Sequence, residues 1–303
     1  MSFNLTMLIQ NFLNGLMVGG LYALIAVGYT MVYGILRLIN FAFGDIMVMG
    51  IYFAFYGATL IRLSFPLAVG FSLLTTAILG LLIDRLAYKP LRNAPRISAL
   101  ITAIGVSFFI ESFAVVIFGP NYKAFLEALQ NKTIAFEYFV IGGVYLPKII
   151  FIILGITAAA LVVLFLIVYK TKIGMAMRAI SADIPTTSLM GINVDNVIGF
   201  TFAISSALAA LAGIMWALRY PSFYPYTGFV PGLKAFIAAV LGGIGSIGGA
   251  VLGGILLGVL EMMIITFFPT LMQYKDAFAF IVLIVILLIR PAGLLGKRSI
   301  VKV

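Results

Sequence analysis

Among its 303 residues the sequence has no cysteine and no histidine, and only 9% of it is charged. Without cysteine there can be no disulfide, no thiolate metal site and no cysteine nucleophile. Without histidine the usual general base and the commonest metal ligand are missing. No Gly-x-x-x-x-Gly-Lys-Ser/Thr run occurs, so the chain holds no ATP in a P-loop of its own. No two carboxylates have a spacing that argues for hydrolysis. The sequence therefore leads us to expect no catalytic residue, no metal site and no cofactor. A net charge of +10 would suggest nucleic acid in a soluble protein, but here the placement of the charges points elsewhere.

Apolar residues are abundant instead. They make up 64% of the chain, and the mean hydropathy is +1.23. Soluble domains are roughly 45–50% apolar. Long runs over 68–83, 149–169 and 235–260 carry almost no charge. Runs of about 20 apolar residues are what a helix needs to cross the ~30 Å hydrocarbon layer. The short alternation of barrel strands is not seen. The fold class read from this pattern is all-α: a polytopic transmembrane helical bundle. It has about 8–9 membrane segments, expected near 8–33, 43–61, 66–84, 97–118, 148–169, 195–219, 229–242, 247–267 and 276–290. Residues 1–14 lack the basic n-region of a cleaved signal peptide, so the first apolar segment is expected to stay in the membrane.

Twelve of the 19 basic residues fall in clusters: Arg85, Lys89, Arg92 and Arg96; Lys170, Lys172 and Arg178; Arg290, Lys297, Arg298 and Lys302; and Arg37. The positive-inside rule puts these on the cytoplasmic face, with the C-terminus cytoplasmic and the stretch 119–147 outside.

Two segments are interrupted. One opens at Asn40-Phe41-Ala42-Phe43-Gly44-Asp45, and the other ends at Gly242-Gly243-Ile244-Gly245-Ser246. Paired interruptions suggest an internal duplication and often border a transport route. Candidate pathway residues are therefore Asn40, Gly44, Asp45, Gly242, Gly243 and Gly245. Packing alone also explains the glycines, and a place in a helix's first turn explains Asp45. Gly243, Gly245 and Gly248 spell a dinucleotide-binding motif by accident, since the strand, the βαβ context and the later acidic residue are missing. Small residues recur every four positions at Gly245/Gly249/Gly253, Ala250/Gly254/Gly258, Ser205/Ala209/Gly213 and Gly15/Gly19, as at close helix contacts or subunit interfaces in membranes. Glu111 lies mid-helix and needs a partner, or a carboxyl kept neutral. Glu261, nearer a helix end, is expected to reach water.

The stretch 170–194 reads as a short amphipathic helix, a break at Pro185 and a second turn ending at Gly191. It suits a helix lying on headgroups or one docking a cytoplasmic partner. Its pattern Gly174-x-x-x-Arg178-Ala179, Asp183 and Leu189-x-Gly191-Ile192-x-Val194 resembles the coupling loop of permeases from branched-chain amino acid ABC importers. The run Gly19-Gly20-Leu21-Tyr22-Ala23-Leu24, the segment Ile39-Asn40-Phe41-Ala42-x-Gly44, and Leu233-Lys234-Ala235-Phe236 through Ser246 resemble the same family, favouring its H-type subunit. Gly248 departs from the pattern, since many relatives have proline there.

The resemblance implies a single transmembrane permease domain over 1–303 in a bacterial or archaeal plasma (inner) membrane, forming half of a translocation pathway. Its implied partners are an M-type permease, two cytoplasmic ABC ATPases and an extracytoplasmic substrate-binding protein, serving an amino acid substrate. Gly174, Arg178, Ala179, Asp183, Gly191 and Ile192 would mark the loop that seats on an ATPase. An ion-coupled secondary transporter or channel is the alternative, because broken helices suit it equally.

Overall fold

The computed structural model describes residues 5–36, 40–92, 94–128, 137–141, 144–290 and 292–296. Arg37, Lys297, Arg298 and Lys302, named above for their charge, lie outside the described residues. In chain order the helices are α1 (Leu5–Leu36), α2 (Phe43–Thr59), α3 (Phe65–Ile83), α4 (Arg96–Phe118), α5 (Lys148–Lys170), α6 (Lys172–Ala182), α7 (Ile184–Leu189), α8 (Val194–Arg219), α9 (Phe229–Gly242), α10 (Ile247–Phe267) and α11 (Lys275–Ile289). Seven helical segments among the described residues are long and apolar enough to cross a membrane, and α2 is a shorter apolar helix. The expected segments match closely.

The structure adds three features. Beyond α3 the backbone continues as a π-turn, Asp84–Tyr88, and a 3-10 turn, Lys89–Leu91. Pro90 removes an N–H and ends the helical ladder there. The expected outer stretch contains β1 (Lys123–Ala124), paired with β4 (Ser222–Phe223), and a hairpin of β2 (Tyr138–Ile141) with β3 (Val144–Pro147). Glu137 and Lys148 form an ion pair across the base of that hairpin.

Contacts divide the chain into two compact units: Met1–Thr30 with Thr133–Thr157 and Lys234–Val303, and Met31–Lys132 with Ala158–Leu233. In the first, the two small-residue stripes of α10 face different helices. A methyl added at Gly258 would strike the backbone of Gly15 and Gly19, and one at Gly254 that of Ala23, so this stripe packs on α1. A methyl at Gly253 would strike Ala238, and one at Gly249 would strike Gly242, so the other stripe packs on α9. Lipid chains are as apolar as the side chains, so association depends on such close van der Waals contact.

In the second unit α2, α3 and α8 pack on one another. Gly50 lies against Ala210, Gly80 against Ser206, and Gly213 against Met47. Ser205, Ala209 and Gly213 are all buried as well, so that stripe lies inside the unit. One end of this unit is aromatic: Tyr52 stacks on Phe118 at 4.4 Å and meets the buried Phe223 of β4 edge-on at 5.1 Å. α3 starts near that end and finishes at the opposite one, where α8 begins. The basic residues collect there.

Candidate functional site: a coupling loop and buried charges

The loop 170–194 is a built structure. Thr171 caps α6, its hydroxyl accepting from the Gly174 amide at 3.1 Å. A methyl on Gly174 would overlap the carbonyls of Ile167 and Val168, so only glycine lets α6 fold back on the last turn of α5. Arg178 donates to the Val168 carbonyl, and its guanidinium lies 5.3 Å from the Tyr169 ring centre. It thereby satisfies a carbonyl that a helix end leaves orphaned.

Asp183 ends α6 and begins α7, accepting from the Thr186 hydroxyl. Gly191 has φ +79°, the left-handed geometry that closes α7. Asn193 then caps α8 through the Asn196 amide at 3.1 Å. Ala179 and Ile192 are half-buried. Gly174 and Arg178 thus brace the loop from within. The large apolar side chains the loop exposes are Ile173, Met175, Ile184, Leu189 and Met190, of which Met175, Leu189 and Met190 are the most exposed, Leu189 at 87%. Sequence reasoning placed Leu189 in the loop's pattern but missed Met175 and Met190; the helical spacing of buried Gly174, Met177 and Ile180 was the available signal for Met175.

The loop joins a charged clamp. Arg92 holds the buried Asp84 through two hydrogen bonds of 2.8 and 2.9 Å, and also pairs with Asp195 in the first turn of α8. Lys89 reaches Asp195 at 2.8 Å. A cavity of ≈ 650 Å³ separates this clamp from Ile184, Pro185 and Ser188 of α7. Two of the basic clusters, near 85–92 and 170–178, therefore lie at one end of this unit.

In the same unit Asn40 is buried. Its side-chain oxygen accepts from Tyr88 at 2.9 Å and from the Ala42 amide at 3.1 Å, while its Nδ2 has no partner among the described residues. Asp45 occupies the first turn of α2, accepts from Ser107 and faces Glu111, a carboxyl pair that can bond only by sharing a proton. Gly44 meets the Gly228 carbonyl where a β-carbon would not fit.

The first unit holds Gly242, Gly243 and Gly245. Gly243 (φ +107°) and Gly245 (φ +93°) make the turn between α9 and α10. Residues 292–296 bond back to it, Leu294 N to Leu241 O and Leu295 N to Gly242 O, both at 2.9 Å. A side chain at Gly243 would collide with Gly296. Gly248 sits in the first turn of α10, where a β-carbon would meet nothing within 4 Å.

Contrary to expectation, Glu261 does not reach water. It is 3% exposed and receives Lys234 at 2.9 Å and the Tyr22 hydroxyl at 2.9 Å, with Lys275 at 3.6 Å. Lys234, 4% exposed, also meets Asp276 at 2.6 Å. α9 and α11 flank this part of α10 and bring their charges to it, which a position in the sequence cannot register. Sequence reasoning missed Lys234 and Tyr22 as partners; a lysine in an apolar run was the signal.

The bundle of apolar helices, the small-residue seams and the internally braced loop define a polytopic membrane permease. A family model described as "Branched-chain amino acid transport system / permease component" matches residues 11–287. The chain belongs to that family. It is 42% identical over 303 residues to the high-affinity branched-chain amino acid transport system permease protein BraD of Pseudomonas aeruginosa, covering 97% of this chain and 98% of the relative. To LivH of Escherichia coli it is 39% identical, covering 97% of each. To the probable LivH of Methanocaldococcus jannaschii it is 29% identical over 91% of this chain and 89% of the relative. No solved structure matches it.

Proposed function

We propose that the chain, acting as one permease domain over 1–303, forms half of the translocation pathway of an ATP-driven ABC importer. The imported substrate is a branched-chain amino acid. The observation that carries this reading is the near-full-length identity to BraD and LivH, whose names specify high-affinity branched-chain amino acid transport. An M-type permease completes the pathway, two cytoplasmic ATPases drive it, and an extracytoplasmic protein delivers substrate. The protein lies in the plasma (inner) membrane of a bacterium or archaeon, with its C-terminus cytoplasmic.

In this reading Gly174, Arg178, Ala179, Asp183, Gly191 and Ile192 shape the loop, and Met175, Leu189 and Met190 are the surface that seats on an ATPase. Bracing on α5 lets α6 move as a rigid lever, and the Asp195 clamp passes that motion to α3 and α8. Asn40, Gly44, Asp45, Gly242, Gly243 and Gly245 border the route, the unpartnered Asn40 amide supporting this for the first break.

The test reconstitutes the full complex in proteoliposomes and compares it with Leu189→Asp/Met190→Asp. Both substitutions fall on exposed side chains, so the protein stays folded in the membrane. Substrate uptake and ATPase co-purification should both fall at least tenfold. Uptake that followed an ion gradient and ignored ATP would instead establish a secondary transporter.

A further inference from the structure

A second cavity, of ≈ 540 Å³, opens between the end of α3 and the start of α8, away from α7. Its volume falls in the roughly 300–1,000 Å³ range of small-ligand clefts. Its walls are divided by chemistry. Leu81, Gly199, Phe200 and Ala203 form an apolar part along the two helices, and Arg85, Lys89 and Asn196 form a polar rim together with the carboxylates Asp84 and Asp195. Along α3, Leu74, Ile78, Leu82 and Leu86 are exposed at four-residue spacing, so this helix presents a lipid-facing stripe that ends beside Arg85.

The charges around the cavity do not balance. Asp84 is taken by Arg92, and Asp195 by Arg92 and Lys89. The lining itself holds two cations and two carboxylates, but Arg92, which lies outside it, pairs with both carboxylates, so the cluster as a whole sets three cations against two acids. Arg85 is the one left with no carboxylate within ion-pair distance among the described residues.

We propose that this cavity is a binding site for an anionic phospholipid. The phosphodiester sits on Arg85 and Lys89, a headgroup hydroxyl on Asn196, and an acyl chain against Leu81, Phe200 and Ala203. One uncompensated positive charge suits a monoanionic headgroup. An apolar wall continuous with a lipid-facing helix favours a lipid over a soluble phosphate. Basic pockets between transmembrane helices hold anionic headgroups by the same combination. The site is independent of which substrate the permease carries.

The test uses the complete purified transporter, incubated with equal amounts of chain-matched phosphatidylglycerol and phosphatidylcholine and examined by native mass spectrometry. The wild type should retain phosphatidylglycerol preferentially. Arg85→Gln should lower that preference about fivefold, the worth of one basic residue beside an anionic lipid. Ala203→Phe, which fills the apolar part, should lower retention of both lipids. Lys170→Gln removes a cation at the same end of the unit but outside the cavity, and should leave the ratio unchanged. Equal loss in Lys170→Gln and Arg85→Gln would overturn the proposal in favour of diffuse attraction. Full displacement of phosphatidylglycerol by millimolar glycerol phosphate would overturn it in favour of a soluble ligand. The readout needs no transport, so its failure is distinct from failure of the importer reading.

Discussion

Replacing Lys234 with methionine, which keeps the length of the side chain and removes its charge, should destabilise the first unit by about 3 kcal/mol. Glu261 would keep the Tyr22 hydroxyl at 2.9 Å but lose its close cation, leaving only Lys275 at 3.6 Å. Breaking a buried pair from one side costs about 3–5 kcal/mol, mostly for the charge left behind. The remaining lysine sets the effect at the low end of that range. Asp276 adds less than Glu261, because its side chain is 44% exposed and solvent screens its charge.

Glu261→Gln should be milder, about 1–2 kcal/mol, since Lys234 keeps Asp276 at 2.6 Å and the amide oxygen still accepts from Tyr22. The double variant Lys234→Met/Glu261→Gln should cost less than the sum of the two, by about 1–3 kcal/mol of coupling. Reversible unfolding in mild detergent micelles with increasing denaturing detergent, followed by far-UV circular dichroism of the whole helix content, measures all three. An additive double variant, or a Lys234→Met change smaller than that of Glu261→Gln, would refute the reasoning.

Gly254→Leu drives a side chain into the Ala23 backbone and should lower the melting temperature of the purified protein by several degrees, whereas the same change at the open Gly155 should not. Gly248→Pro should be neutral within about 0.5 kcal/mol in the same melt, because a first-turn proline forfeits no helical hydrogen bond. Arg92→Gln should strand the buried Asp84 and release Asp195. Its expected signs are faster proteolysis of the 170–194 loop and a loss of uptake that Arg92→Lys, which lacks the two Nη groups that hold Asp84 and Asp195 separately, restores only in part.

Much was legible in the residues themselves. Membrane crossing follows from local transfer free energy, so runs of apolar residues located the helices to within a few positions. Capping is local as well, and Gly191 and Asn193 mark the ends of α7 and α8 where such residues belong. The broken segments near Asn40 and Gly243 were also visible, because glycine and asparagine punctuate a helix wherever they stand. The loop 170–194 was recognisable by pattern, although of its pattern residues Leu189 faces outward while Gly174, Arg178 and Gly191 shape the backbone.

Composition and periodicity by themselves determined a basic, polytopic α-helical membrane protein with interrupted helices, since each of those properties belongs to a segment and its solvent. Tertiary packing decided the rest. It chose which glycine stripe meets which helix, gave Glu111 its neighbour Asp45, and buried Glu261 against Lys234, 27 residues earlier in the chain. It also turned Asp84, Arg92 and Asp195 into one clamp, with Asp195 lying 103 residues beyond Arg92. The physical reason is that a charge in an apolar run is stabilised only by a partner on another helix. Which helix supplies that partner is set by backbone approach, and a linear pattern does not contain it.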